Sequence, residues 1–314
     1  MSVGRAVRIT DVGPRDGLQN EQGVVSVDAK VAFIDALSHA GLPEIEVTSF
    51  VSPKWVPQLA DASEVLGRIQ RRPGTVYSAL VPNEKGLERA LEARVDKIAV
   101  FTAASESFAR KNINASVRES IERFRPVVEG ARRAGLPVRG YVSCVVACPF
   151  EGPIAPAAVA EVSRALLAVG VDEIDLGDTI GVAVPGDIDR LLAAHAGVVP
   201  VERITMHLHD TRGTALACAW RAIELGVTSF DASCGGLGGC PYAPGATGNA
   251  ATEELVYACE GSSRSTGVDL QALLAAGRCI ESALGRTLPS RLLRAGTLVP
   301  RGKVTDPTGA SASV

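Results

Sequence analysis

The feature that most constrains the fold is an eightfold alternation of short strand-like and longer helix-like segments over about 250 residues. The strand-like segments, such as Val7–Val12, Glu44–Thr48 and Asp96–Phe101, are apolar and rich in β-branched residues, as expected of strands covered on both faces. The helix-like segments end in glycine, as at Gly41 and Gly170, and the next strand begins within a few residues. Eight such units have the size of an α/β barrel of the (β/α)8 or TIM type.

A doubly wound open sheet is the alternative fold. The motifs typical of many open α/β sheets are missing: no G-x-G-x-x-G follows a strand, and neither a phosphate-binding loop nor a G-x-S-x-G elbow occurs. We therefore predict one TIM-barrel catalytic domain over residues 1–300, with an additional C-terminal helical segment at 269–284, and a flexible tail at 301–314. A polar loop is predicted at Ala103–Asn114.

Charge and composition restrict the partners. The 32 basic and 35 acidic residues nearly balance, and no basic patch is interleaved with aromatic residues, so we expect no nucleic-acid partner. No apolar run is long enough to cross a bilayer and no secretion signal is present, so we expect no membrane association and a cytoplasmic protein. The seven scattered cysteines, an odd number, are typical of reduced thiols.

The seventh strand, at 203–208, ends in the sequence His207-Leu-His209. Alternate side chains of a strand point to the same face, so His207 and His209 face the same way. Two neutral imidazoles on one face are suited to binding a divalent cation. The structural alternative is that both histidines fill a half-polar strand.

Other polar groups lie at or after the C-terminal ends of strands, the face on which TIM barrels carry their active sites. These groups are Arg15, Asp16, Glu46, Asp178, Cys240 and Asn249. The first, second, seventh and eighth strands are contiguous only in a closed barrel, which would bring Asp16 beside His207 and His209. Structural roles are the alternative: Arg15 and Glu46 could form ion pairs, Asp178 could cap the following turn, and Cys240 could fill an apolar gap.

A carboxylate, two imidazoles and an amide oxygen leave open positions on a six-coordinate ion. This set suits Mg²⁺ or Mn²⁺, although imidazole also suits Zn²⁺, Co²⁺ and Fe²⁺. Such an ion can chelate and polarise a substrate that carries a hydroxyl and a carbonyl group. A nearby arginine can stabilise an enolate, and a loop thiol can move a proton at carbon. Together these groups indicate carbon–carbon bond cleavage or formation beside a carbonyl.

The same residues lie in longer motifs that resemble the 3-hydroxy-3-methylglutaryl-CoA (HMG-CoA) lyase family of metal-dependent TIM-barrel lyases. The motifs are Val12–Glu21, Thr48–Gln58, Lys111–Asn114, Arg139–Cys144, Leu176–Gly181, His207–Thr211 and Gly236–Ala243. The similarity runs from about residue 7 to 286. The Gly-Gly-Cys-Pro-Tyr loop and the Ser-Phe-Val-Ser-Pro-Lys-Trp sequence are the most specific to this family.

The resemblance implies that Asp16, His207, His209 and Asn249 bind a divalent metal, with Mg²⁺ or Mn²⁺ as the expected cofactor. It implies that Arg15 contacts the acyl carbonyl and stabilises the enolate of acetyl-CoA. The implied reaction is the retro-Claisen cleavage of HMG-CoA into acetoacetate and acetyl-CoA, as in leucine breakdown or ketone-body formation. An acyl-CoA is then the expected small-molecule partner, and a homodimer or higher homo-oligomer the expected assembly.

The resemblance also implies that Cys240 is the general acid/base and that Glu46 and Asp178 support the site as further catalytic residues. Either Asp178 or the metal-binding aspartate would help to remove the proton of the C3 hydroxyl. Lys111 and Asn112 would approach the CoA side of the substrate, although both could equally be solvated residues of a helix start.

Because of two departures from the family pattern, the sequence does not determine which acyl-CoA is the substrate. Arg212-Gly-Thr214 stands where the family often has Tyr-Gly-Gln, and Asp175 stands where it often has serine. The first change could alter the acyl pocket and favour a longer 3-hydroxy-3-alkylglutaryl-CoA. An aldolase-type relative is also consistent with the motifs, as is a catalytically inactive barrel that binds metal or acyl-CoA.

Overall fold

The computed structural model describes residues 6–21, 23–239 and 248–295. Over these ranges eight parallel strands form a barrel: β1 Arg8–Asp11, β2 Glu44–Ser49, β3 Val76–Leu80, β4 Lys97–Ala103, β5 Val138–Ser143, β6 Glu173–Asp178, β7 Ile204–Leu208 and β8 Ser229–Ala232. The helices are α1 Val27–His39, α2 Ala62–Arg68, α3 Glu84–Glu92, α4 Glu106–Ile113, α5 Val117–Arg133, α6 Pro156–Ala168, α7 Pro185–His195, α8 Ala215–Glu224, α9 Thr252–Glu260, α10 Leu270–Leu284 and α11 Arg291–Ala295.

The sheet closes on itself, as the eightfold alternation predicts. Each strand pairs in parallel with its neighbours in the chain, and β1 pairs with both β2 and β8. In that seam Ile9 lies opposite Phe230, and Thr10 lies opposite Glu44. An open sheet would separate β1 from β8, so the doubly wound alternative is excluded and the (β/α)8 barrel is confirmed.

Local sequence signals explain where the helices begin and end. The side chains of Ser26, Asn83 and Ser116 accept hydrogen bonds from the first turns of α1, α3 and α5. Gly170, just after α6, has a φ of 102°, a conformation that side chains with a Cβ rarely adopt. The backbone conformation, rather than a lack of space, is therefore what favours glycine at this position.

The apolar core lies between the outer face of the sheet and the helices around it. The α1 side chains Phe33, Ile34 and Leu37 are fully buried against this sheet. Burial of one such side chain contributes roughly 1.5–3 kcal/mol. The predicted C-terminal helix is α10, which packs beside α1, and the amide of Asp269 donates to Ala40 O at 2.8 Å. The first helix of the barrel is thereby joined to the added C-terminal segment.

Charged side chains, rather than apolar ones, occupy the barrel interior near the N-terminal ends of several strands. Arg139 is 1% exposed and donates to Glu173 at 2.6 Å and to Asp231 at 2.7 Å. Glu44 pairs with Lys97 at 3.0 Å and with Arg139 at 3.5 Å. Buried charges of this kind are stable only when they are paired, so the network fixes strands on opposite sides of the barrel relative to each other.

One predicted loop is wrong. Ala103–Asn114 contains α4, which Ser105 caps by accepting from the Phe108 amide at 3.1 Å. The helix ends at Asn114 in the left-handed conformation, with a φ of 49°. Its polar composition hides the helical pattern, because Phe108 and Ala109 are the residues that it buries. The predicted flexible tail at 301–314 lies outside the described residues.

Among the described helices, none is both long and apolar enough to cross a membrane.

Candidate metal centre and active site

A tight turn directly after β1 presents the first two site residues. The amides of Arg15, Asp16 and Gly17 all donate to the Val12 carbonyl, at 3.2, 2.8 and 3.1 Å. Because the three amides share this acceptor, residues 13–17 form one turn of π-helix. In this turn Arg15 is buried and Asp16 is partly exposed. The carboxylate of Asp16 is therefore held at the C-terminal face of the barrel.

His207 in β7 and His209 just after it meet this carboxylate. The Nε2 atoms of His207 and His209 are 3.3 Å apart, and Nε2 of His207 is 4.0 Å from Oδ2 of Asp16. One potential ligand atom from each of the three residues lies within 4.8 Å of the others. The predicted meeting of Asp16 with the two histidines through barrel closure is confirmed.

Asn249 completes this cluster from the segment that follows the glycine-rich loop. The Asp210 amide donates to Gly248 O and the Ala250 amide donates to Leu208 O, so Asn249 lies directly beside His209. Its Nδ2 donates to Asp16 Oδ2 at 2.9 Å and to Leu237 O at 3.0 Å. With both amide protons engaged, Oδ1 is buried and has no hydrogen-bond partner within the described ranges.

This donor set fits a divalent cation. Ligand atoms of the carboxylate and the two imidazoles lie within 4.8 Å of one another, and the adjacent Asn249 offers an unpartnered amide oxygen. This combination of groups suits Mg²⁺, Mn²⁺ and related ions. The four groups contact one another in two pairs, His207 with His209 and Asn249 with Asp16, so the protein itself holds them close together.

The protonation states also favour cation binding. Burial raises the pKa of Asp16, but Arg15 and the two histidines outweigh this effect and bring the pKa to about 2. Burial and the neighbouring imidazole of His207 lower the pKa of His209 to about 4. At neutral pH the site therefore offers a carboxylate and at least one neutral imidazole, the forms that bind metal.

Asp231 is a site residue that the sequence did not reveal. It lies opposite His207 in the β7–β8 register, and its Oδ2 is 3.2 Å from Nδ1 of His207. Burial lowers the pKa of His207, but its hydrogen bond with Asp231 and the charge of Asp16 produce a net rise. A carboxylate on Nδ1 directs Nε2 towards the cluster and strengthens an imidazole as a ligand.

Arg15 is held rigidly beside the cluster. Its Nε donates to Glu46 at 2.6 Å, its Nη1 donates to Asp16 at 2.5 Å, and its guanidinium lies 5.3 Å from the ring centroid of Tyr141. Burial raises the pKa of Glu46 and Arg15 opposes that rise. Each of the two residues therefore takes part in an ion pair, as its structural alternative predicts, and the pair holds a permanent positive charge beside the cluster.

Asp178 has a structural role in the described contacts. Its carboxylate accepts from the amides of Val182 at 3.2 Å and Ala183 at 2.8 Å, which caps the turn after β6. Arg212 donates to the carbonyls of Ile180 and Gly181 in the same turn. The catalytic role of Asp178 stays a prediction.

The predicted CoA-side residues are on α4. Lys111 and Asn112 lie in its last turn, and the exposed Lys111 places its ammonium 3.6 Å from the ring centroid of Phe150. Their contact with CoA stays a prediction. Cys240 lies outside the described residues, so its predicted position on the catalytic face is untested.

Known proteins share this architecture and sequence. The chain matches the HMGL-like family over residues 6–280. The mitochondrial hydroxymethylglutaryl-CoA lyase of Bos taurus is 53% identical over 291 residues, which cover 93% of this chain and 90% of that protein. A Pseudomonas aeruginosa protein named 3-hydroxy-3-isohexenylglutaryl-CoA/hydroxy-methylglutaryl-CoA lyase is 51% identical over 295 residues, 94% of this chain and 98% of its own length.

A solved structure shows the same similarity in three dimensions. The crystal structure of hydroxymethylglutaryl-CoA lyase from Pseudomonas aeruginosa superposes with a TM-score of 0.91 and 51% identity, covering 94% of this chain and 98% of that one. The barrel, the metal-site geometry and these likenesses agree with the resemblance drawn from the motifs. The chain belongs to the HMGL-like family.

Proposed function

We propose that this protein is a divalent-metal-dependent lyase that cleaves HMG-CoA into acetoacetate and acetyl-CoA. The observation that carries the proposal is the convergence of Asp16, His207, His209 and Asn249 beside the buried Arg15. Relatives between 51% and 53% identical over most of the chain are named as lyases of this substrate.

Asp16, His207, His209 and Asn249 would hold the ion, which we propose to be Mg²⁺ or Mn²⁺. The donor set of oxygen and imidazole nitrogen suits these ions. When bound, the ion supplies Lewis-acid polarisation of the substrate oxygens.

The side chains of the protein carry the remaining chemistry. A carboxylate, Asp16 or Asp178, accepts the proton of the C3 hydroxyl, and the C2–C3 bond breaks as the C3 carbonyl of acetoacetate forms. The bonding electrons pass to C2 and give the enolate of acetyl-CoA, whose negative charge the fixed guanidinium of Arg15 stabilises. Cys240 then gives C2 a proton to form acetyl-CoA.

The second candidate substrate is a longer 3-hydroxy-3-alkylglutaryl-CoA. The Pseudomonas aeruginosa relative is named for both an isohexenyl and a methyl substrate. Arg212, one of the departures from the family pattern, binds the turn after β6 and so lies near the C-terminal face, where a longer acyl branch would extend.

The test is a coupled assay of acetoacetate release from HMG-CoA, run with EDTA and then with Mg²⁺ or Mn²⁺ restored. We expect cleavage that EDTA abolishes and either ion restores. Parallel assays with the isohexenyl substrate rank the two activities by kcat/KM. Tight Mn²⁺ binding without cleavage of either compound would instead support the inactive metal-binding barrel.

A homodimer or higher homo-oligomer and a cytoplasmic location complete the proposal. Light scattering coupled to gel filtration tests the assembly, and cell fractionation tests the location.

A further inference from the structure

One buried carboxylate outside the ligand set joins the segments that carry the ligands. Asp11, the last residue of β1, is fully buried, and its Oδ1 accepts from the Gly13 amide at 2.9 Å. Its Oδ2 accepts from the Cys234 amide at 2.9 Å and from the Thr252 hydroxyl at 2.7 Å. Three donors from three separate parts of the chain therefore meet at one side chain.

Each of these parts is connected to the candidate metal centre. Gly13 begins the turn that presents Arg15 and Asp16. Cys234 begins the glycine-rich loop, and Thr252 begins α9, three residues after Asn249. Asp11 thus fixes the spacing between the turn after β1 and the segment that contains Asn249. The Asp16–Asn249 hydrogen bond is a second contact between these two regions.

The two stems of the glycine-rich loop are themselves in close contact. The Ser233 amide donates to Ala250 O at 2.9 Å, and the Thr252 amide donates to Ser233 O at 3.1 Å. Glu253 accepts from the Gly235 amide with both carboxylate oxygens, at 3.1 Å each. A shift of Asp11 would therefore move both stems, and Asn249 with them.

The hydrogen bonds at this position favour a carboxylate over an amide. All three partners are donors, and an ionised aspartate only accepts, whereas an asparagine of the same shape would turn an N–H group towards one of them. Burial raises the pKa of Asp11 to about 7, so holding the charge here is costly to stability.

We infer that Asp11 is a positioning residue of the candidate metal centre, because it sets the distance between the Asp16 turn and the Asn249 segment. The inference rests on the proposed function. It predicts that loss of the carboxylate weakens metal binding by a protein that remains folded.

The test compares Mn²⁺ affinity and HMG-CoA turnover of the parent and Asp11→Asn, at a temperature where both are fully folded. We expect Asp11→Asn to weaken Mn²⁺ binding about 10- to 100-fold, the usual effect of removing a group that orients metal ligands. Turnover at saturating Mn²⁺ should fall through kcat more than KM. Thr252→Val, which removes the hydroxyl that donates to Asp11, should weaken Mn²⁺ binding by a smaller factor. Thr252→Ser keeps this hydroxyl and should bind Mn²⁺ as tightly as the parent.

Ser163→Ala is the matched control, since it removes a buried hydroxyl that bonds to His195 between α6 and α7. It should lower the melting temperature and leave Mn²⁺ affinity unchanged. If Asp11→Asn lowers only the melting temperature, the inference is wrong; if Asp11→Asn does not fold, an unaltered affinity of Thr252→Val overturns it equally. A parent that neither binds Mn²⁺ nor cleaves HMG-CoA would instead refute the proposed function.

Discussion

Glu253 should make the stability of the fold depend on pH in a direction opposite to that of an ordinary ion-paired acid. The side chain is fully buried at the start of α9, and its carboxylate accepts a hydrogen bond from the Gly235 amide. Burial is the main cause of a pKa raised from 4.5 to about 7, although hydrogen bonds from Ser290 and Gly235 oppose it. The folded state therefore holds a proton that the unfolded state has already released.

The sign and size of the effect follow from this difference. Between pH 4.5 and about 7 the folded state binds more protons, so the free energy of unfolding falls as the pH rises through this range. The difference between about 7 and 4.5, at 1.36 kcal/mol for each pH unit, corresponds to about 3 kcal/mol. Below pH 4.5 both states are protonated at this group, and above about 7 both are ionised, so its contribution is constant there.

Glu253→Gln removes this contribution. We expect the variant to gain stability relative to the parent as the pH rises from 5 to 8, by up to about 3 kcal/mol. Urea unfolding of both proteins at pH 5, 6, 7 and 8, in the presence of EDTA, measures the difference through the midpoint and the m-value. Thr102→Val, which removes a buried hydroxyl bonded to Ser120, should differ from the parent by the same amount at every pH. A constant difference for Glu253→Gln would refute the reasoning.

Three other substitutions test the site. Cys240→Ala should leave Mn²⁺ binding intact and lower kcat by about 10²- to 10⁴-fold, as loss of a general acid does; an unchanged kcat would remove this thiol from the mechanism. His207→Ala should abolish measurable Mn²⁺ binding by calorimetry, and an unaltered affinity would contradict its assignment as a ligand. Asp231→Asn should weaken Mn²⁺ binding about 10- to 100-fold, because His207 loses the carboxylate that orients it. Equal Mn²⁺ affinities of Asp231→Asn and the parent would mean that Asp231 does not orient the ligand.

The barrel was predictable because its signals are local. Periodicity, cap residues and closing glycines each act within one βα unit, and repetition of the unit determines the fold. The error at α4 has the same origin, since a polar helix that buries little apolar surface gives a weak periodic signal.

The site was predictable only in part. The C-terminal ends of the strands identified Asp16, His207, His209 and Asn249, because closure of any such barrel brings those ends together. Asp231 was missed since its contact with His207 depends on the register of β7 against β8, which is a property of the assembled sheet. Asp178 has the same strand-end position, yet both its oxygens accept backbone amides. Strand-end placement alone does not distinguish a catalytic acid from a turn cap.

The seam between β1 and β8 has a consequence for biosynthesis. Asp16 and Asn249 are hydrogen-bonded although 233 positions separate them along the polypeptide. During translation the aspartate leaves the ribosome long before its asparagine partner has been made. A nascent chain that stops before Asn249 therefore lacks one of the four proposed ligands, and the complete donor set can form only after nearly the entire barrel has been synthesised.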